Sequence, residues 1–257
     1  MLSQSHLPAE WINFTRDLPA PMNPPFLLLA ANTIFRDGRS RRDGETALLD
    51  LADQGQRYAV IHHATPGISV PRSYQRHPQF DAARSQLAQE GLPVDVRLSG
   101  GGVVPQASGV INLHLAYPIA AKYPLQHAES QYLGLCELIA RTLAACAIEA
   151  TPQPVQGSFC DGRFNLAVDG KKIAGTAQYW RRNKAAATPL FSLLSHAVIL
   201  VNADSAMLTA MANRFEAALQ SPVRYLTQKT TSVMEQLGRP AADFDQALLQ
   251  ALQDPPI

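Results

Sequence analysis

The hydrophobic pattern of the chain predicts several short strands separated by turn residues. In each one, β-branched and other apolar residues cluster between glycine, proline or polar positions, as expected of a strand in a half-buried sheet. The predicted strands cover residues 58–62, 67–70, 94–98, 110–116 and 195–201.

Longer segments have the three- and four-residue periodicity of helices. The longest is 128–148, in which one apolar stripe includes Leu135 and Cys136. Further helices are predicted at 26–37, 44–53, 80–90 and after Asp204. A capping-box pattern at Ser232–Glu235 and a similar pattern from Asp243 predict two short helices near the C-terminus.

The order of these elements predicts an α+β architecture. Strands with interspersed helices come first, and helices alone finish the chain, which indicates a small helical cap at the C-terminus. We therefore divide the chain into a Pro-rich N-terminal extension (1–24), a main domain (25–205) and the helical cap (206–257).

The segment around Asp169-Gly170 predicts a β-hairpin with lysines beside its turn. Asp-Gly is the strongest short hairpin signal, because both turn residues need positive φ. A two-residue turn sets three pairs: Val168 with Lys171, Ala167 with Lys172, and Leu166 with Ile173. Side chains alternate across a strand, so Lys172 should point away from the apolar face, among small residues. That position leaves room for a slender ligand beside its ammonium.

The composition is that of a folded globular protein. Of 257 residues, 46% are hydrophobic, which excludes disorder as the main description. The formal net charge of +1 argues against a nucleic-acid partner, whose binding usually needs a basic stripe. Residues 1–20 have no apolar stretch next to a basic start, and the longest apolar run, 26–35, is too short to span a bilayer. We expect a cytoplasmic protein without a membrane partner.

The three cysteines, Cys136, Cys146 and Cys160, lack metal-ligand spacing, and their odd number fits a reducing compartment. The first two lie on the apolar stripe of the long helix, where a core role is favoured. Cys160 lies in a glycine-flanked loop near Arg163, and nearby positive charge raises the thiolate fraction of a cysteine. Taken alone, this context still favours a small buried side chain over a reactive thiol.

Other polar positions are weak candidates when taken singly. The glycine run 100–102 lets backbone N–H groups approach a carbonyl or anionic ligand, although an ordinary loop is the commoner meaning of such a run. His114 and His196 lie within predicted strands, where a structural hydrogen bond is the usual role. His62-His63 has no partner at metal-ligand spacing, so no metal site is predicted. Residues 179–184 predict an exposed, positively charged turn.

Three ordered motifs resemble the lipoate–protein ligase and octanoyltransferase family. The first is an Arg-x-Ser-Gly-Gly-Gly loop followed by a Gly-x-x-Asn strand, found at 97–102 and 109–112. The second is Gly-Lys-Lys-Ile-Ala-Gly-x-Ala-Gln at 170–178, and the third is His-x-x-x-Leu-Val at 196–201. A Gly-Arg-x-x-Gln pattern is matched more loosely at 70–75. Agreement of several motifs in order is more specific than any one of them.

The resemblance covers about residues 25–205 and implies a biotin/lipoate protein ligase-like catalytic domain, in which a mixed sheet is flanked by helices. It implies attachment of an octanoyl or lipoyl group to a lysine of a lipoyl-carrier domain. Such carriers are the glycine-cleavage H protein and the acyltransferase subunits of 2-oxoacid dehydrogenases. The implied catalytic residues are Cys160 and Lys172. The residues implied for substrate binding are Arg97, Ser99, Gly100, Gly101, Gly102, Asn112, Asn165, Gly175, Thr176 and His196.

Two chemistries exist in the family that the chain resembles. A transferase holds the acyl group as a thioester on a cysteine and needs no cofactor, whereas a ligase activates free lipoate with ATP and Mg²⁺. Cys160, twelve residues before Lys172, resembles the cysteine loop of the transferases, and Gln106 stands where ligases usually have a histidine. Asn165 stands where the hairpin of the family commonly has an acidic residue. The tail after residue 205 is short for the accessory domain that many ligases carry. A non-catalytic acyl- or carrier-binding protein is the third possibility, because a fold does not fix an activity.

Overall fold

A computed structural model describes residues 24–36, 39–186, 188 and 190–257. In chain order its strands are β1 (Leu27–Leu29), β2 (Tyr58–His63), β3 (Gly67–Pro71), β4 (Val94–Arg97), β5 (Val104–Gln106), β6 (Val110–Ala120), β7 (Thr151–Pro152), β8 (Leu166–Val168), β9 (Lys171–Arg182) and β10 (Leu190–Leu200). Its helices are α1 (Ala31–Ile34), α2 (Arg41–Ala52), α3 (Phe80–Gln89), α4 (Ala128–Ala145), α5 (Ser205–Ala218), α6 (Val233–Leu237) and α7 (Phe244–Ala251). Within the described ranges, no helix has the length and apolar character of a bilayer-spanning segment.

The strands form two sheets, and the predicted α+β class is confirmed. The larger sheet has the order β1-β2-β6-β10-β9-β8-β7 and is mixed, because β1 runs parallel to β2 whereas the other neighbours are antiparallel. The smaller sheet has the order β4-β3-β5, with β3 parallel to β4 and antiparallel to β5. This arrangement places β10 at the centre of the larger sheet, between the long strands β6 and β9.

Alternation along β6 separates an apolar face from a polar one. Leu113 and Leu115 are fully buried in the cluster that includes the apolar residues of α4 and α7. The alternate residues of the strand, Asn112 and His114, therefore lie on the opposite face. That face is covered by α2, whose buried leucines pack against Ala116 of the same strand, and by the smaller sheet, whose Ile68 and Val70 share a cluster with Val110. Polar side chains at the centre of the sheet are thus held between two layers, where a site can form.

The C-terminal segment contributes to both cores. Leu208 and Phe215 of α5 pack with the smaller sheet, whereas Phe244 and Leu248 of α7 join the cluster under the larger sheet. The capping box at the start of α6 is confirmed, since the Ser232 hydroxyl accepts from the Glu235 N–H and the Glu235 carboxylate accepts in return. The boundary drawn between main domain and cap at residue 205 stays a prediction.

Outside the hairpin at Asp169-Gly170, three of the predictions for local structure are wrong. The predicted helix 26–37 is instead the edge strand β1 followed by the single turn α1, with Asp37 outside the described residues. A short apolar run looks alike in a buried strand and a buried helix, so periodicity could not separate them. The predicted turn at 179–184 is the end of β9, where Arg181 pairs across from Ser192 of β10. The last helix begins as predicted at Phe244, but the Asp243 side chain makes no capping bond.

Candidate functional site

A narrow cavity lies between the polar face of the larger sheet and the smaller sheet. Its empty space is about 500 Å³ including its opening to solvent. Val104, Phe159, Ala177, Val198 and Leu200 form its apolar lining. Seven of the predicted site residues also line it, namely Arg97, Asn112, Cys160, Lys172, Gly175, Thr176 and His196. The cavity therefore combines an apolar wall with a concentrated set of polar groups.

Arg97 holds the glycine loop in place. It is buried at the end of β4, and its guanidinium donates to the carbonyl oxygens of Ser69 at 2.8 Å, Gly100 at 2.9 Å and Gly102 at 2.7 Å. A guanidinium is a rigid fork of donors, so these bonds fix the path of the loop relative to β3. Most of the donors of Arg97 are thus engaged by the protein itself.

The glycine loop receives the thiol of Cys160. The N–H of Gly102 donates to Sγ at 3.2 Å, and Cys160 itself has a positive φ of 49°. A Cβ atom placed on Gly101 would lie 2.8 Å from Sγ, closer than real side chains approach. The absence of side chains in the run 100–102 therefore lets the thiol lie directly against the loop backbone.

Lys172 joins the hairpin to the cysteine loop. Its side chain is buried, and Nζ donates to the carbonyl oxygens of Phe159 and Cys160, both at 2.8 Å. A Cβ on Gly175 would lie 2.8 Å from Nζ, so this glycine provides the space that the ammonium occupies. An ammonium has three N–H donors. Two are used here, which leaves one for a ligand.

The hairpin register is partly as predicted. Val168 pairs with Lys171 and Ala167 with Lys172, as expected from the Asp169-Gly170 turn. Leu166 pairs with Ala174 rather than with Ile173, because the register shifts between Leu166 and Ala167. Such a bulge re-aims side chains locally, and it lies directly beside Lys172.

Charges around Cys160 favour its thiolate form. Burial alone raises the pKa of a thiol, but the Lys172 ammonium, the Arg97 guanidinium and the Gly102 N–H outweigh this effect and the opposing charge of Asp161. The pKa of Cys160 is therefore lower than that of an ordinary cysteine. Burial has the opposite effect on an amine and lowers the pKa of Lys172. The negative charges of Cys160 and Asp161 offset this lowering only in part. The arrangement provides a nucleophile beside a cation that releases its proton more readily than usual.

The remaining predicted site residues support those that line the cavity. The Ser99 hydroxyl lies 3.2 Å from Nε2 of His196, and the Asn165 amide donates to the Cys160 carbonyl at 3.4 Å. Burial, together with the charges of Arg97 and Arg41, lowers the pKa of His196 to about 3, so its imidazole is neutral near pH 7. A neutral imidazole can accept from the Ser99 hydroxyl.

Sequence reasoning missed two charged residues of α2, Arg41 and Glu45. Arg41 lines the cavity, and Glu45 is fully buried, with one carboxylate oxygen accepting from the Leu98 N–H at 2.6 Å. Burial raises the pKa of Glu45 to about 7. The predicted helix began at residue 44 and so excluded Arg41. Glu45 could have been found, because it lies one turn before the buried Leu48 and therefore on the same face.

Glu45, His114 and His196 bring potential metal-ligating atoms within 4.8 Å of one another. Two imidazoles and a carboxylate are a donor set that divalent metals use. However, the positive charges of Arg41 and Arg97 act on Glu45 and on His196, which disfavours a further cation there. The electrostatics instead favour polar or anionic groups on this side of the cavity.

The segment after α5 contacts both loops of the site. The Leu226 N–H donates to the Gly157 carbonyl at 2.8 Å, and the Thr231 N–H donates to the Lys172 carbonyl at 2.9 Å. Thr230 also forms an isolated parallel bridge with Lys172. The backbone of the cysteine loop and that of the hairpin are therefore both tied to the C-terminal part of the chain.

Comparison with known proteins finds relatives of two kinds. A protein of Cupriavidus necator described as uncharacterized is 43% identical over 241 residues, which are 90% of this chain and 94% of that protein. The octanoyl-[GcvH]:protein N-octanoyltransferase of Kyrpidia tusciae is 32% identical over 165 residues, which are 63% of this chain. This match spans 56% of the length of the transferase.

A solved structure of lipoate-protein ligase A with bound ATP has the same fold. Its TM-score is 0.61 at 16% identity, with 88% of this chain and 82% of the ligase covered. Residues 48–253, and with them the three sequence motifs, match the family described as the lipoyl protein ligase A/B catalytic domain. The motifs, the fold and this match agree, and the chain belongs to the lipoyl protein ligase A/B catalytic-domain family.

Proposed function

We propose that this chain transfers an octanoyl or lipoyl group to the acceptor lysine of a lipoyl-carrier domain, through a thioester on Cys160. The observation that carries the proposal is that the Cys160 thiol and the Lys172 ammonium line one narrow cavity with an apolar wall. The sequence similarity to an octanoyl-[GcvH]:protein N-octanoyltransferase supports it. The glycine-cleavage H protein and the acyltransferase subunits of 2-oxoacid dehydrogenases are the proposed carriers, and the reaction takes place in the cytoplasm.

In the first step, the Cys160 thiolate attacks the carbonyl carbon of the acylated carrier lysine. A bond forms between Sγ and this carbon, and the amide C–N bond breaks as the leaving amine takes up a proton. The N–H of Gly102 donates to the sulfur, and Nζ of Lys172 is bonded to the backbone carbonyl of the same cysteine. The remaining N–H of Lys172 is the donor that we assign to the negative charge developing on the substrate carbonyl oxygen. With its lowered pKa, Lys172 is suited to deliver the proton.

In the second step, the amine of the acceptor lysine attacks the thioester. The C–S bond breaks, the thiolate of Cys160 is restored, and the proton lost by the attacking amine returns to Lys172. The two half-reactions are the reverse of each other in their bond changes, so one set of groups serves both. The transfer needs neither ATP nor Mg²⁺.

An ATP-dependent ligase and a non-catalytic binding protein are the alternatives that the test must separate. We expect octanoyl transfer between purified carriers to proceed in the absence of ATP, and mass spectrometry to detect an octanoyl adduct on Cys160. Acylation that requires free lipoate, ATP and Mg²⁺ would identify a ligase instead. Carrier binding without acylation under either condition would identify a binding protein.

Replacing the nucleophile should abolish the thioester. Cys160→Ser is expected to form no thioester adduct and to lose transfer, because a serine hydroxyl is not ionised at neutral pH as a low-pKa thiol is. Cys146→Ser is the matched control, since Cys146 is half-buried at the end of α4 and away from the cavity lining. Equal adduct formation in the Cys160→Ser variant would contradict the proposed role.

Replacing Lys172 by an uncharged residue should raise the pKa of the Cys160 thiol and slow the transfer. In Lys172→Met the pKa of Cys160 rises, so the pH midpoint of its alkylation by iodoacetamide is expected to move to higher pH. Transfer should fall by about 100-fold, the usual effect of losing one oxyanion donor. Lys171→Met is the control, because Lys171 is the exposed neighbour at the hairpin turn. An unchanged alkylation profile in Lys172→Met would show that its charge does not act on the thiol.

A single methyl group on the glycine loop should displace the nucleophile. Gly101→Ala places a Cβ 2.8 Å from Sγ at a residue with a φ of 102°, whereas a Cβ on Gly100 meets nothing within 4 Å. We expect Gly101→Ala to slow acylation of Cys160 by at least about tenfold while Gly100→Ala stays near wild type. Circular dichroism and the rate of adduct formation together make the measurement. Equal rates for the two variants would mean that the thiol does not depend on this close approach.

A further inference from the structure

Glu216 of α5 is a buried acidic residue that the proposed mechanism does not use. It is 2% exposed, and none of the ion pairs within the described residues includes it. Its Oε1 atom instead accepts from the phenol groups of Tyr74 and Tyr225, both at 2.9 Å. Burial, followed by the charge of Glu216, raises the pKa of Tyr74 to about 12, and burial also raises the pKa of Tyr225. Both phenols therefore stay protonated and act as donors.

Tyr74 connects this carboxylate to the glycine loop. It lies in the short helical turn after β3, and the centre of its ring is 5.7 Å from that of Phe215 in α5. The backbone N–H of Val103 acts on the Tyr74 oxygen and lowers its pKa. This N–H belongs to the same planar peptide group as the Gly102 carbonyl, which accepts from Arg97 at 2.7 Å. The last peptide group of the glycine loop is thus held at both ends.

Tyr225 connects the same carboxylate to the cysteine loop. Asn213, one turn earlier in α5, donates to the Tyr225 carbonyl at 2.9 Å and accepts from the Tyr225 N–H at 2.8 Å. The N–H of the next residue, Leu226, donates to the carbonyl of Gly157 in the cysteine loop at 2.8 Å. Helix α5 therefore fixes this loop as well.

The two loops meet where the Gly102 N–H donates to Sγ of Cys160 at 3.2 Å. One loop is linked to Oε1 of Glu216 through Tyr74, and the other through Tyr225. A hydrogen bond weakens steeply when its geometry is disturbed, so the bond to the sulfur depends on the relative position of the loops. A buried carboxylate without a cation is a costly means of stabilising a fold, which favours a role in positioning.

We propose that Glu216 is a positioning residue for the nucleophile: through Tyr74 and Tyr225 its carboxylate holds the glycine loop against the cysteine loop, so that the Gly102 N–H stays bonded to the Cys160 sulfur. The inference rests on the proposed acyl transfer, because it assigns Glu216 to the support of the same cysteine. Glu216 does not line the cavity, and it acts through the two phenols.

Two substitutions of Glu216 in the full-length protein separate its hydrogen bonds from its charge. Glu216→Leu removes both, whereas Glu216→Gln removes the charge and keeps an oxygen that can accept from both phenols. The measurement is the pH midpoint of Cys160 alkylation by iodoacetamide, followed by mass spectrometry of the peptide that contains Cys160. We expect it to rise by about one pH unit in Glu216→Leu, the effect of losing one hydrogen bond to a charged group. In Glu216→Gln it should stay closer to the wild-type value than to that of Glu216→Leu.

The direction of the shift distinguishes positioning from a direct effect of the charge. Removing a negative charge near a thiol favours the thiolate, so a charge effect alone would lower the midpoint in both Glu216 variants. An unchanged or lowered midpoint in Glu216→Leu would overturn the inference. An equal rise in Glu216→Leu and Glu216→Gln would also overturn it, because the acceptor oxygen would then have no role.

Tyrosine variants test the two connections singly. Tyr74→Phe and Tyr225→Phe keep the packed ring and remove only the hydroxyl, so each should raise the midpoint and slow octanoyl transfer by about tenfold. Tyr123→Phe and Glu137→Leu are the matched controls at exposed positions and should change neither quantity. Thermal unfolding identifies any variant that does not fold, and the tyrosine variants decide the question if Glu216→Leu is one of them. Wild-type midpoints in both tyrosine variants would contradict the inference.

Failure of this inference is distinguishable from failure of the proposed function, because alkylation needs no acyl donor. If the midpoints stay at the wild-type value while Cys160 is octanoylated by the carrier, acyl transfer stands and only the role of Glu216 is wrong. If the midpoints shift as expected but wild-type Cys160 accepts no acyl group, the positioning stands and the proposed transfer is wrong.

Discussion

The site depends on the buried ammonium of Lys172, which bonds to two consecutive carbonyls of the cysteine loop. A buried charge is tolerated only where its donors are satisfied, so the loop and the hairpin must adopt one relative position. That position places the Cys160 thiol against the glycine loop, which Arg97 in turn fixes to β3. One cation thus holds the cysteine loop and the other the glycine loop beside it, and both lower the pKa of Cys160. Structural support and chemical activation come from the same groups.

The cavity exists because two sheets of different size face each other. The central strands of the larger sheet place residues such as Asn112 and His114 on the face opposite the leucine-rich core. The smaller sheet and α2 cover that face and bury its polar side chains. In such surroundings electrostatic interactions are stronger than at a surface, which explains the neutral histidines and the raised pKa of Glu45. The cavity is therefore polar because alternate residues of the central strands face it, and because α2 and the smaller sheet cover that face.

Local patterns in the sequence were sufficient for most elements, and for some of the site. The Asp169-Gly170 turn and the pairing of Ala167 with Lys172 follow from turn chemistry alone. The prediction of a helix at 26–37 is wrong because a short apolar run has no periodicity that distinguishes a strand from a helix. Arg41 was missed because its importance comes from α2 lying over β6, a long-range contact that no local pattern encodes. Glu45 shares a helix face with the buried Leu48, so its burial was accessible from the local pattern, but its place beside the cavity was not. The bulge beside Lys172 was missed for the same reason, since it is decided by packing across the sheet.

The hydrogen bonds from the C-terminal segment to the site also determine how far the chain can be shortened without changing the site. The Thr231 N–H is the partner of the Lys172 carbonyl, and the Leu226 N–H is the partner of the Gly157 carbonyl. A fragment that stopped after α5 would retain every side chain named in the mechanism. It would nevertheless leave the carbonyls of Gly157 and Lys172 without these partners. Dissecting this protein into a minimal acylating unit, or grafting its motifs onto another scaffold, therefore has to include residues 226–231.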